Sequence, residues 1–286
     1  LVLAEAQRGL WVHNGSDQFS ADHITAHDHT LDALRIETDS PLSVFEHLTA
    51  YDSGDNGIYI DGEIGGLTDS LAYDNTEYGI YLLDSGDALV SANVVYNNDD
   101  GIYADNNVSG TTTVVGGDIA DGRGNVVYGN TRYGIDARDR VLVSGNTVRG
   151  SQGSNDDVGI YLRSSSAQAV ENVVYGAEEG IYVSSGGVAQ NRVFGNQTGI
   201  YVGGSGADVL SNVVYSNDTG IHAGQYSSSS EMIHNLIYDN SSYAVLIDYG
   251  SGHQVVNNTV YQPRGSAISL QGGVENNTLR NNILWI

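Results

Sequence analysis

One phrase of ten residues recurs along the chain and limits the folds open to it more than any other feature. Its clearest copy, Asn-Val-Val-Tyr-Ser-Asn-Asp-Thr-Gly-Ile, runs from Asn212 to Ile221, and related copies begin at Asn93, Asn172 and Asn191. A small residue before an aliphatic one marks each copy, and the markers are 19 to 33 residues apart. A period of roughly 20–50 residues is typical of solenoids, propellers and repeat arrays. The markers are Gly9, Ala33, Gly57, Gly79, Gly101, Gly134, Gly159, Gly180, Gly199, Gly220, Ala244 and Ala267.

The local pattern within each copy favours strands. Val, Ile and Tyr alternate over short runs bounded by Gly, Asn, Asp and Ser, and no helical spacing of apolar residues extends far enough for a substantial helix. Side chains alternate between the faces of a strand, so matching aliphatic residues should point inward together, and stacked turns must bury them. We therefore predict an all-β solenoid of about eleven turns, forming one domain over residues 1–286. One predicted buried line is Ile58, Ile80, Ile102, Ile160, Ile181 and Ile200.

A polar column accompanies the aliphatic ones. Asparagine adopts turn conformations that other residues resist, and stacked amides can bond along a column. In the first turns Ile24, Leu48 and Ser70 take this position, and two neighbouring aliphatic columns are expected to end at Leu279 and Val274. The predicted inward ladder consists of Asn93, Asn125, Asn146, Asn172, Asn191, Asn212, Asn235, Asn258 and Asn277.

The phrase Asn-x-Val-Tyr-x-Asn followed by Gly-Ile-Tyr resembles the repeats of right-handed parallel β-helix proteins. That group includes NosD-like proteins, pectate lyases and mannuronan C5-epimerases. The resemblance extends over essentially the whole chain and implies that the solenoid is a right-handed parallel β-helix. The phrase specifies architecture and not reaction, because one fold hosts many activities. No polar cap precedes Gly9 or follows the last residues, 281–286, so a segment of a longer chain, or a unit that stacks end to end, is expected.

The composition limits the partners. The 286 residues carry a formal net charge of −24 and include 11 arginines, no lysine and no cysteine. Such a charge disfavours nucleic acid and anionic membranes, and no stretch approaches the ~20 apolar residues that cross a bilayer. The acidic, lysine-free surface indicates an extracellular or cell-surface protein. Disulfides and thiolate metal sites are excluded.

Acidic residues gather in the turn between the first tyrosine column and the marker glycine. Stacked turns lie about 4.8 Å apart, so these carboxylates repel one another unless a cation offsets the charge. Calcium is the expected cation, since hard cations prefer carboxylate and carbonyl oxygens, and a solvated acidic rim is the alternative. No organic cofactor is expected. The candidate ligands are Asp52, Asp55, Asp74, Glu77, Asp99, Asp100, Asp156, Asp157, Glu178 and Glu179.

Two columns of tyrosine point outward. One follows the asparagine column, and the other follows the marker and contains Tyr59, Tyr81 and Tyr103. Stacking between neighbouring turns is one interpretation, worth about 0.5–1.5 kcal/mol per pair beyond burial. A flat platform for sugar rings is the other, which makes these three tyrosines candidate carbohydrate-binding residues.

The middle of the chain is irregular and rich in arginine. Tyr133-Gly134-Ile135-Asp136 resembles the Tyr-Gly-Phe-Asp-Pro-His stretch of mannuronan C5-epimerases, which implies catalytic roles for Tyr133 and Asp136. Ala137 and Arg138 replace the Pro-His pair, and no lysine is present to act as a partner. Arg138 and Arg140 complete this candidate site. A salt-bridged patch that also includes Asp139 is the alternative interpretation.

Five of the eight histidines lie early in the chain, at positions 13, 23, 27, 29 and 47. His23 and His47 are one repeat apart and should stack. A zinc or copper site is one hypothesis for them, and the resemblance to NosD-like proteins implies copper.

The sequence favours a structural or adhesive β-helix segment of a large surface protein, which could form fibres and be stabilised by divalent cations. Its partners would be flanking domains or further copies, with a polysaccharide as a candidate ligand. The alternatives are a polysaccharide lyase or C5-epimerase-like enzyme acting near Asp136, and a carbohydrate-binding module. Among these readings, a non-enzymatic role is the leading one.

Overall fold

The computed structural model describes residues 1–13, 18–117, 121–151 and 157–286. The chain divides into two compact units, Leu1–Val148 (unit 1) and Arg149–Ile286 (unit 2). Each unit is a parallel β-helix built from three parallel sheets, which confirms the predicted fold class. Whether residues 1–286 act as one domain stays a prediction. Within the described residues, no helix is long and apolar enough to span a membrane.

In unit 1 every turn contributes one strand to each sheet, and strands are numbered in chain order. The first sheet contains β1 (Val2–Ala4), β4 (Thr25–His27), β7 (Thr49–Tyr51), β10 (Leu71–Tyr73), β13 (Val94–Tyr96) and β16 (Val126–Tyr128). The second sheet contains β2 (Leu10–Val12), β5 (Leu34–Glu37), β8 (Ile58–Asp61), β11 (Tyr78–Leu83), β14 (Asp100–Asp105) and β17 (Tyr133–Ala137). The third sheet contains β3 (Ala21–Asp22), β6 (Ser40–Glu46), β9 (Ile64–Thr68), β12 (Leu89–Ser91), β15 (Thr113–Gly116) and β18 (Val141–Ser144).

Unit 2 repeats this plan, and one strand, β19 (Thr147–Arg149), includes the sequence boundary between the units. Its first sheet contains β22 (Val173–Tyr175), β25 (Arg192–Phe194), β28 (Val213–Tyr215), β31 (Leu236–Tyr238), β34 (Thr259–Tyr261) and β37 (Ile283–Trp285). Its second sheet contains β20 (Val158–Leu162), β23 (Glu179–Val183), β26 (Thr198–Val202), β29 (Thr219–Ala223), β32 (Tyr243–Asp248) and β35 (Ser266–Gln271). Its third sheet contains β21 (Gln168–Val170), β24 (Gly187–Ala189), β27 (Asp208–Leu210), β30 (Glu231–Ile233), β33 (Gln254–Val256) and β36 (Thr278–Arg280).

The predicted isoleucine line is buried in each unit. In unit 1, Ile80 pairs in register with Ile58 below and Ile102 above. In unit 2, Ile181 holds the same place between Ile160 and Ile200. All six side chains have 0% exposure, so the alternation of the strands directs them into the core as expected.

The asparagine ladder is present in each unit. In unit 2 the Asn212 Oδ1 accepts hydrogen bonds from the backbone N–H (2.9 Å) and the side-chain Nδ2 (3.0 Å) of Asn191, one turn earlier. Asn212 in turn donates both kinds of bond to the Asn235 Oδ1. In unit 1 the Asn125 Oδ1 receives the same pair from Asn93. Each buried amide therefore satisfies a backbone donor that the turn would otherwise leave unpaired.

The predicted register is wrong in the last turn. Asn258 donates to the Oδ1 of Asn282 and not of Asn277, and Asn277 instead accepts from the backbone of His253. Val260 accordingly pairs with Leu284, and Val255 pairs with Leu279. The repeat spacing allows either Asn277 or Asn282 to follow Asn258 in the ladder. The strand pairing places Asn282 there.

A second asparagine ladder lies two residues beyond the first tyrosine column and was missed by the sequence analysis. In unit 1, Asn75 donates to the Asn98 Oδ1 at 3.0 Å, and Asn98 to the Asn130 Oδ1 at 3.1 Å. This ladder explains the marker glycines: a Cβ on Gly57 would lie 2.7 Å from the Asn75 Nδ2. In unit 2 the corresponding ladder is Asn196, Asn217 and Asn240.

Candidate functional site

The outward side of the second sheet in unit 1, here called the unit 1 face, carries a tyrosine stack. Its residues are Arg35, Tyr59, Tyr78, Tyr81, Asp100, Tyr103, Asp136 and Arg138. Tyr81 lies between Tyr59 and Tyr103, with ring centroids 5.2 and 4.6 Å apart and interplanar angles of 9° and 5°. Tyr78 meets Tyr81 and Tyr103 edge-on. The ring faces are thus used by neighbouring rings, which leaves edges and hydroxyl groups for a ligand.

Arginines cover both ends of this stack. The Arg35 guanidinium carbon lies 4.0 Å from the Tyr59 ring centroid, and that of Arg138 lies 5.0 Å from the Tyr103 centroid. Burial raises the pKa of all three stacked phenols, so they stay protonated near neutral pH. Cations over aromatic faces stabilise such stacks, which favours a structural role for the column.

A buried carboxylate in the next column is neutralised internally. Asp100 is 1% exposed, and Arg132 approaches it with Nη2 at 2.6 Å and Nε at 3.0 Å. The backbone N–H of Tyr133 donates a third bond to it at 3.1 Å. Burial raises the pKa of Asp100, and the arginine opposes this shift. The predicted cation ligand Asp100 is therefore already bound by protein donors.

The predicted catalytic residues occupy different columns of the unit 1 face. Tyr133 pairs in register with Asp100, whereas Asp136 pairs with Tyr103 and is 2% exposed. Arg138 follows β17, and its Nε is buried without a hydrogen-bond partner. The Nη1 of Arg140 donates to the carbonyl of Asn106 at 3.1 Å. The structure thus brings Asp136 and Arg138 to the Tyr103 ring.

The remaining acidic candidates lie at two turn positions. Asp52 and Asp74 occupy a corner with left-handed backbone, φ 52° and 55°, which Asp tolerates because its short side chain bonds locally. With Asp28 they line one open groove of about 450 Å³. Three other acidic candidates occupy one turn position in successive turns of unit 1. Arg132 occupies that position in the next turn, and its Nη2 lies 3.6 Å from Asp99. The members of that series are Asp55, Glu77 and Asp99.

The remaining candidate cation ligands belong to unit 2. Asp157 is buried and accepts a bond from the backbone of Ser151 at 2.8 Å. Glu178 and Glu179 both donate backbone bonds to the Asp157 carbonyl. Asp156 lies outside the described residues.

The outward side of the second sheet in unit 2, here called the unit 2 face, has the same columns but different geometry. Its residues are Tyr161, Arg163, Glu179, Tyr182, Tyr201 and His222. The rings of Tyr161, Tyr182 and Tyr201 tilt by 50° and 41° relative to their neighbours. The hydroxyl of Tyr182 leans over Gly203, and that of Tyr201 leans over Gly224, where a Cβ would collide with it. Glycine at these two places makes room for the tilt.

Glu179 is the most perturbed carboxyl of this face. It lies in the same column position as Asp100 of unit 1, but its strand neighbours are Val158 and Thr198, which carry no charge. Burial, and then the adjacent Glu178, raises its pKa to about 7. Among the described residues no arginine pairs with Glu179. Its carboxyl is therefore largely protonated just below neutral pH.

His222 continues the tyrosine column of unit 2. Its ring meets Tyr201 edge-on, with centroids 5.0 Å apart and an angle of 88°. Burial lowers the pKa of His222 although Asp248 opposes the shift, so the imidazole is neutral at neutral pH. Its Nε2 is buried and has no hydrogen-bond partner, so the fold leaves hydrogen-bonding capacity of this ring unused.

Burial also keeps the phenols of this face protonated. It raises the pKa of Tyr182 to about 12, and it raises that of Tyr201, with Glu179 and Asp248 contributing. A neutral imidazole, a protonated phenol and a protonatable carboxyl thus share one surface. Groups whose environments push their pKa values apart are typical of acid–base sites.

The sequence analysis missed His222, and it assigned Glu179 only to a cation stripe. A signal was present for His222, because it stands where the preceding repeats have tyrosine in Gly-Ile-Tyr. Tyr78 and Arg132 were also missed as parts of the unit 1 face. Their roles depend on contacts between successive turns, which repeat spacing alone does not reveal.

Three sheets of stacked parallel strands, with ladders inside and aromatic and ionisable columns outside, define a repeat-built β-helix protein. The chain belongs to the right-handed β-helix family: the family model described as "right handed beta helix region" matches residues 141–285. The model described as "periplasmic copper-binding protein (NosD)" matches residues 33–197. None of the curated proteins compared with this chain matches it in sequence.

Several solved structures share the fold. The A-module of mannuronan C-5 epimerase AlgE6 from Azotobacter vinelandii has a TM-score of 0.58 and 18% identity, over 99% of this chain and 80% of that one. The AlgE4 A-module of the same organism has values of 0.55 and 16%, over 97% and 81%. A mannuronic acid-specific family 6 polysaccharide lyase from human gut microbiota has values of 0.63 and 12%, over 99% and 82%. At these identities the likeness shows the architecture.

Proposed function

We propose that this protein acts on a uronate-containing polysaccharide by acid–base chemistry on the unit 2 face. The observation that carries the proposal is His222, a neutral imidazole with an unused buried nitrogen, set edge-on against the protonated phenol of Tyr201. Three structures with this architecture are mannuronan epimerases or a mannuronic acid-specific lyase, which supports the substrate class.

Proton transfer at C5 of a uronate needs a base, an acid and relief of the charge on the sugar carboxylate. His222 is the base through its Nδ1, because its lowered pKa leaves the ring unprotonated at neutral pH and its Nε2 is buried. Tyr201 is the acid, because its raised pKa keeps its proton available. Glu179, protonated below about pH 7, donates a hydrogen bond to the sugar carboxylate and avoids repelling it.

The proposed reaction is a β-elimination. His222 removes the C5 proton, the C5 electron pair forms the C4=C5 double bond, and the C4–O bond breaks. Tyr201 protonates the departing oxygen. Epimerisation uses the same first step, after which Tyr201 returns a proton to C5 from the opposite side. The net charge of −24 opposes an anionic chain at long range, so activity should rise with ionic strength as this repulsion is screened.

The experiment incubates the protein with polymannuronate, polygalacturonate and a neutral glucan. Elimination is followed by ultraviolet absorbance of the unsaturated product, and epimerisation by proton NMR. We expect turnover on a polyuronate and none on the glucan. His222→Gln and Tyr201→Phe should each lower kcat/KM by roughly 10²-fold or more.

Tyr103→Phe is the matched control, since it removes a hydroxyl from the same column in unit 1 and should change kcat/KM less than about threefold. Glu179→Gln should retain activity above pH 7, where the wild type loses it as Glu179 ionises. The proposal fails if the wild type turns over none of the polyuronates, or if His222→Gln and Tyr103→Phe are equally active.

A structural or adhesive module is the second candidate function. It is favoured by the two asparagine ladders and by the unit 1 face, whose ring faces are covered by each other and by arginine. In this case flanking domains or further copies of the chain are the partners. Binding to a polyuronate without turnover, measured by calorimetry, would support this candidate or a carbohydrate-binding module.

We place the protein outside the cytoplasm, in the periplasm, at the cell surface or in the extracellular space. The matching NosD family is described as periplasmic, and a polysaccharide substrate would be encountered outside the cytoplasm. The absence of cysteine agrees with any of these compartments.

A further inference from the structure

A chain of hydrogen bonds in unit 2 connects the interior beside the third sheet to the unit 2 face. His253 directly precedes β33, is fully buried and is bonded to two serines of the preceding turn. Its Nδ1 lies 3.3 Å from the backbone nitrogen of Ser230, and its Nε2 lies 3.2 Å from the Ser227 Oγ. The Ser227 Oγ in turn lies 2.6 Å from the carbonyl oxygen of Gly224. These contacts link His253 to the glycine over which the Tyr201 hydroxyl leans.

The first bond of this chain fixes the direction of the others. The backbone N–H of Ser230 can only donate, so the His253 Nδ1 accepts and the ring proton lies on Nε2. Nε2 therefore donates to the Ser227 hydroxyl, which donates to the Gly224 carbonyl. Burial lowers the pKa of His253, and the neutral ring is the form that this arrangement requires. The backbone N–H of Ser227 also donates to Gly224 at 3.0 Å, so two hydrogen bonds close this tight turn.

Ser227 differs from the residues at the same place in neighbouring turns of unit 2. Isolated bridges between successive turns align it with Gly204 in the turn before and with Gly250 in the turn after. Glycine has no side chain with which to bond a turn. The turn that follows Gly224 is thus fixed by a hydroxyl that the turn after Gly203 lacks at that place.

His253 belongs to a third inward ladder, in which each side chain accepts a bond from the backbone of the turn before it. The Ser230 Oγ accepts from Ala207 at 3.3 Å, and the Asn277 Oδ1 accepts from His253 at 2.8 Å. Serine and asparagine thus supply the acceptor in the neighbouring turns, so the ladder does not require an imidazole. What histidine adds is a second nitrogen, and that nitrogen reaches Ser227.

We propose that His253 is a positioning residue for Tyr201, because through Ser227 it fixes the Gly224 turn over which the phenol leans. The inference rests on the proposed function, in which Tyr201 is the acid. The hydroxyl must be held at one place to protonate the departing oxygen, since a misplacement of about 1 Å can lower a rate by roughly 10²-fold. His253 itself is buried and touches no substrate.

Two substitutions separate the roles of the two ring nitrogens. His253→Asn keeps an acceptor in the place of Nδ1, as Asn277 does one turn later, and removes Nε2. We expect it to lower kcat about tenfold, to change KM less than about twofold and to unfold near the wild-type urea concentration. His253→Gln keeps a donor near the place of Nε2 and removes the acceptor. It should keep kcat within about threefold of the wild type but unfold at a lower urea concentration.

Ser230→Ala is the matched control, because it removes another buried acceptor of the same ladder and no atom bonded to Ser227. It should lower the urea midpoint and keep kcat within about twofold of the wild type. If His253 only stabilised the fold, kcat would follow the urea midpoint, and His253→Gln and Ser230→Ala would lose more activity than His253→Asn. That order of activities would overturn the proposal.

Nuclear magnetic resonance of ring-labelled tyrosine tests the positioning without turnover. Tyr201→Phe and Tyr182→Phe assign the two signals, and Tyr182 is the internal control because its hydroxyl leans over Gly203. His253→Asn should shift the Tyr201 signal and leave the Tyr182 signal in place. An unshifted Tyr201 signal would overturn the inference even if a polyuronate is turned over. A shifted signal in a protein that turns over no polyuronate would uphold the link from His253 to Tyr201 and refute only the proposed function.

Discussion

The unit 1 face and the unit 2 face are built from the same columns of the same repeat, but they neutralise their charges differently. In unit 1 the buried acid Asp100 is paired with Arg132, and arginines lie over both ends of the tyrosine stack. In unit 2 the acid at the same column position, Glu179, has no such partner among the described residues and holds its proton to about pH 7. The comparison shows that the same column position holds a neutralised carboxylate where an arginine pairs with it and a proton-binding carboxyl where none does.

The tilt of the rings differs for a related reason. In unit 1 the place one turn above each tyrosine hydroxyl carries a side chain, such as Leu83 or Asp105, so the rings stand upright and stack. In unit 2 that place is Gly203 or Gly224, and the rings lean over it. The absence of a side chain at these glycines thus replaces a parallel stack by tilted rings.

The ladders are what the two units share, and they give the largest expected effect. Asn125→Ala in unit 1 and Asn212→Ala in unit 2 each remove a buried amide that accepts two bonds and donates two. Each substitution should lower the free energy of unfolding by roughly 3 kcal/mol, since several buried groups lose partners. Urea unfolding of both variants would measure it. A difference of more than about 1 kcal/mol between them would show that the units do not rely on the ladder equally.

The unpaired acid of unit 2 should make the stability of the fold depend on pH. The pKa of Glu179 is raised from 4.5 to about 7 on folding, so the folded state binds this proton more tightly than the unfolded chain. Its contribution is present below pH 4.5 and is lost as pH rises through about 7, a decrease of about 2–3 kcal/mol relative to Glu179→Gln. Unfolding curves of both proteins from pH 4.5 to 8 would measure this.

Asp100→Asn is the matched variant in unit 1. It should destabilise the fold by about 2 kcal/mol at neutral pH, because Arg132 loses its bidentate acceptor. Parallel pH curves for the wild type and Glu179→Gln would contradict the contrast drawn between the two faces.

Filling the glycine positions should erase the difference in tilt. Gly203→Ala and Gly224→Ala place a Cβ against the phenols of Tyr182 and Tyr201 and should cost about 1–2 kcal/mol, with a change in the near-ultraviolet circular dichroism of tyrosine. Gly187→Ala is the control in the same unit, since only the Gln168 Cγ lies nearby, at 3.7 Å. It should be neutral or stabilising. Equal spectra for all three variants would contradict the role assigned to the glycines.

Calcium is expected to have the smallest effect and to act on unit 1, where Asp28, Asp52 and Asp74 line one groove. We expect millimolar calcium to stabilise the protein by about 1 kcal/mol more than sodium at equal ionic strength. Thermal melts of the wild type and of the variant with Asp52→Asn and Asp74→Asn would measure it. Coincident curves in calcium and sodium would reduce the groove to a solvated acidic rim.

Inward positions could be predicted from the sequence because they repeat with the strand. The isoleucine line and the first ladder follow from alternation and from spacing. The last turn could not be placed, since Asn277 and Asn282 both fit a variable interval and strand pairing decides between them. Outward chemistry was harder still: the neutralisation of Asp100, the raised pKa of Glu179 and the tilt of Tyr201 each depend on what the neighbouring turns carry. Contacts between different columns of neighbouring turns do not appear as a repeated pattern in the sequence.

The ladder rungs have a consequence for how chains of this kind can lengthen. Successive rungs are 19 residues apart between Asn172 and Asn191, and 32 apart between Asn93 and Asn125, yet the amides meet at 2.9 and 3.0 Å in each case. The rungs hold successive turns in register, so extra residues are accommodated in the connections between strands. A foreign peptide placed in the loop before Asn125 should therefore be displayed on the surface with all neighbouring columns unshifted. By the same argument, whole repeats can be added or removed between two ladder asparagines, so the chain can lengthen or shorten one turn at a time.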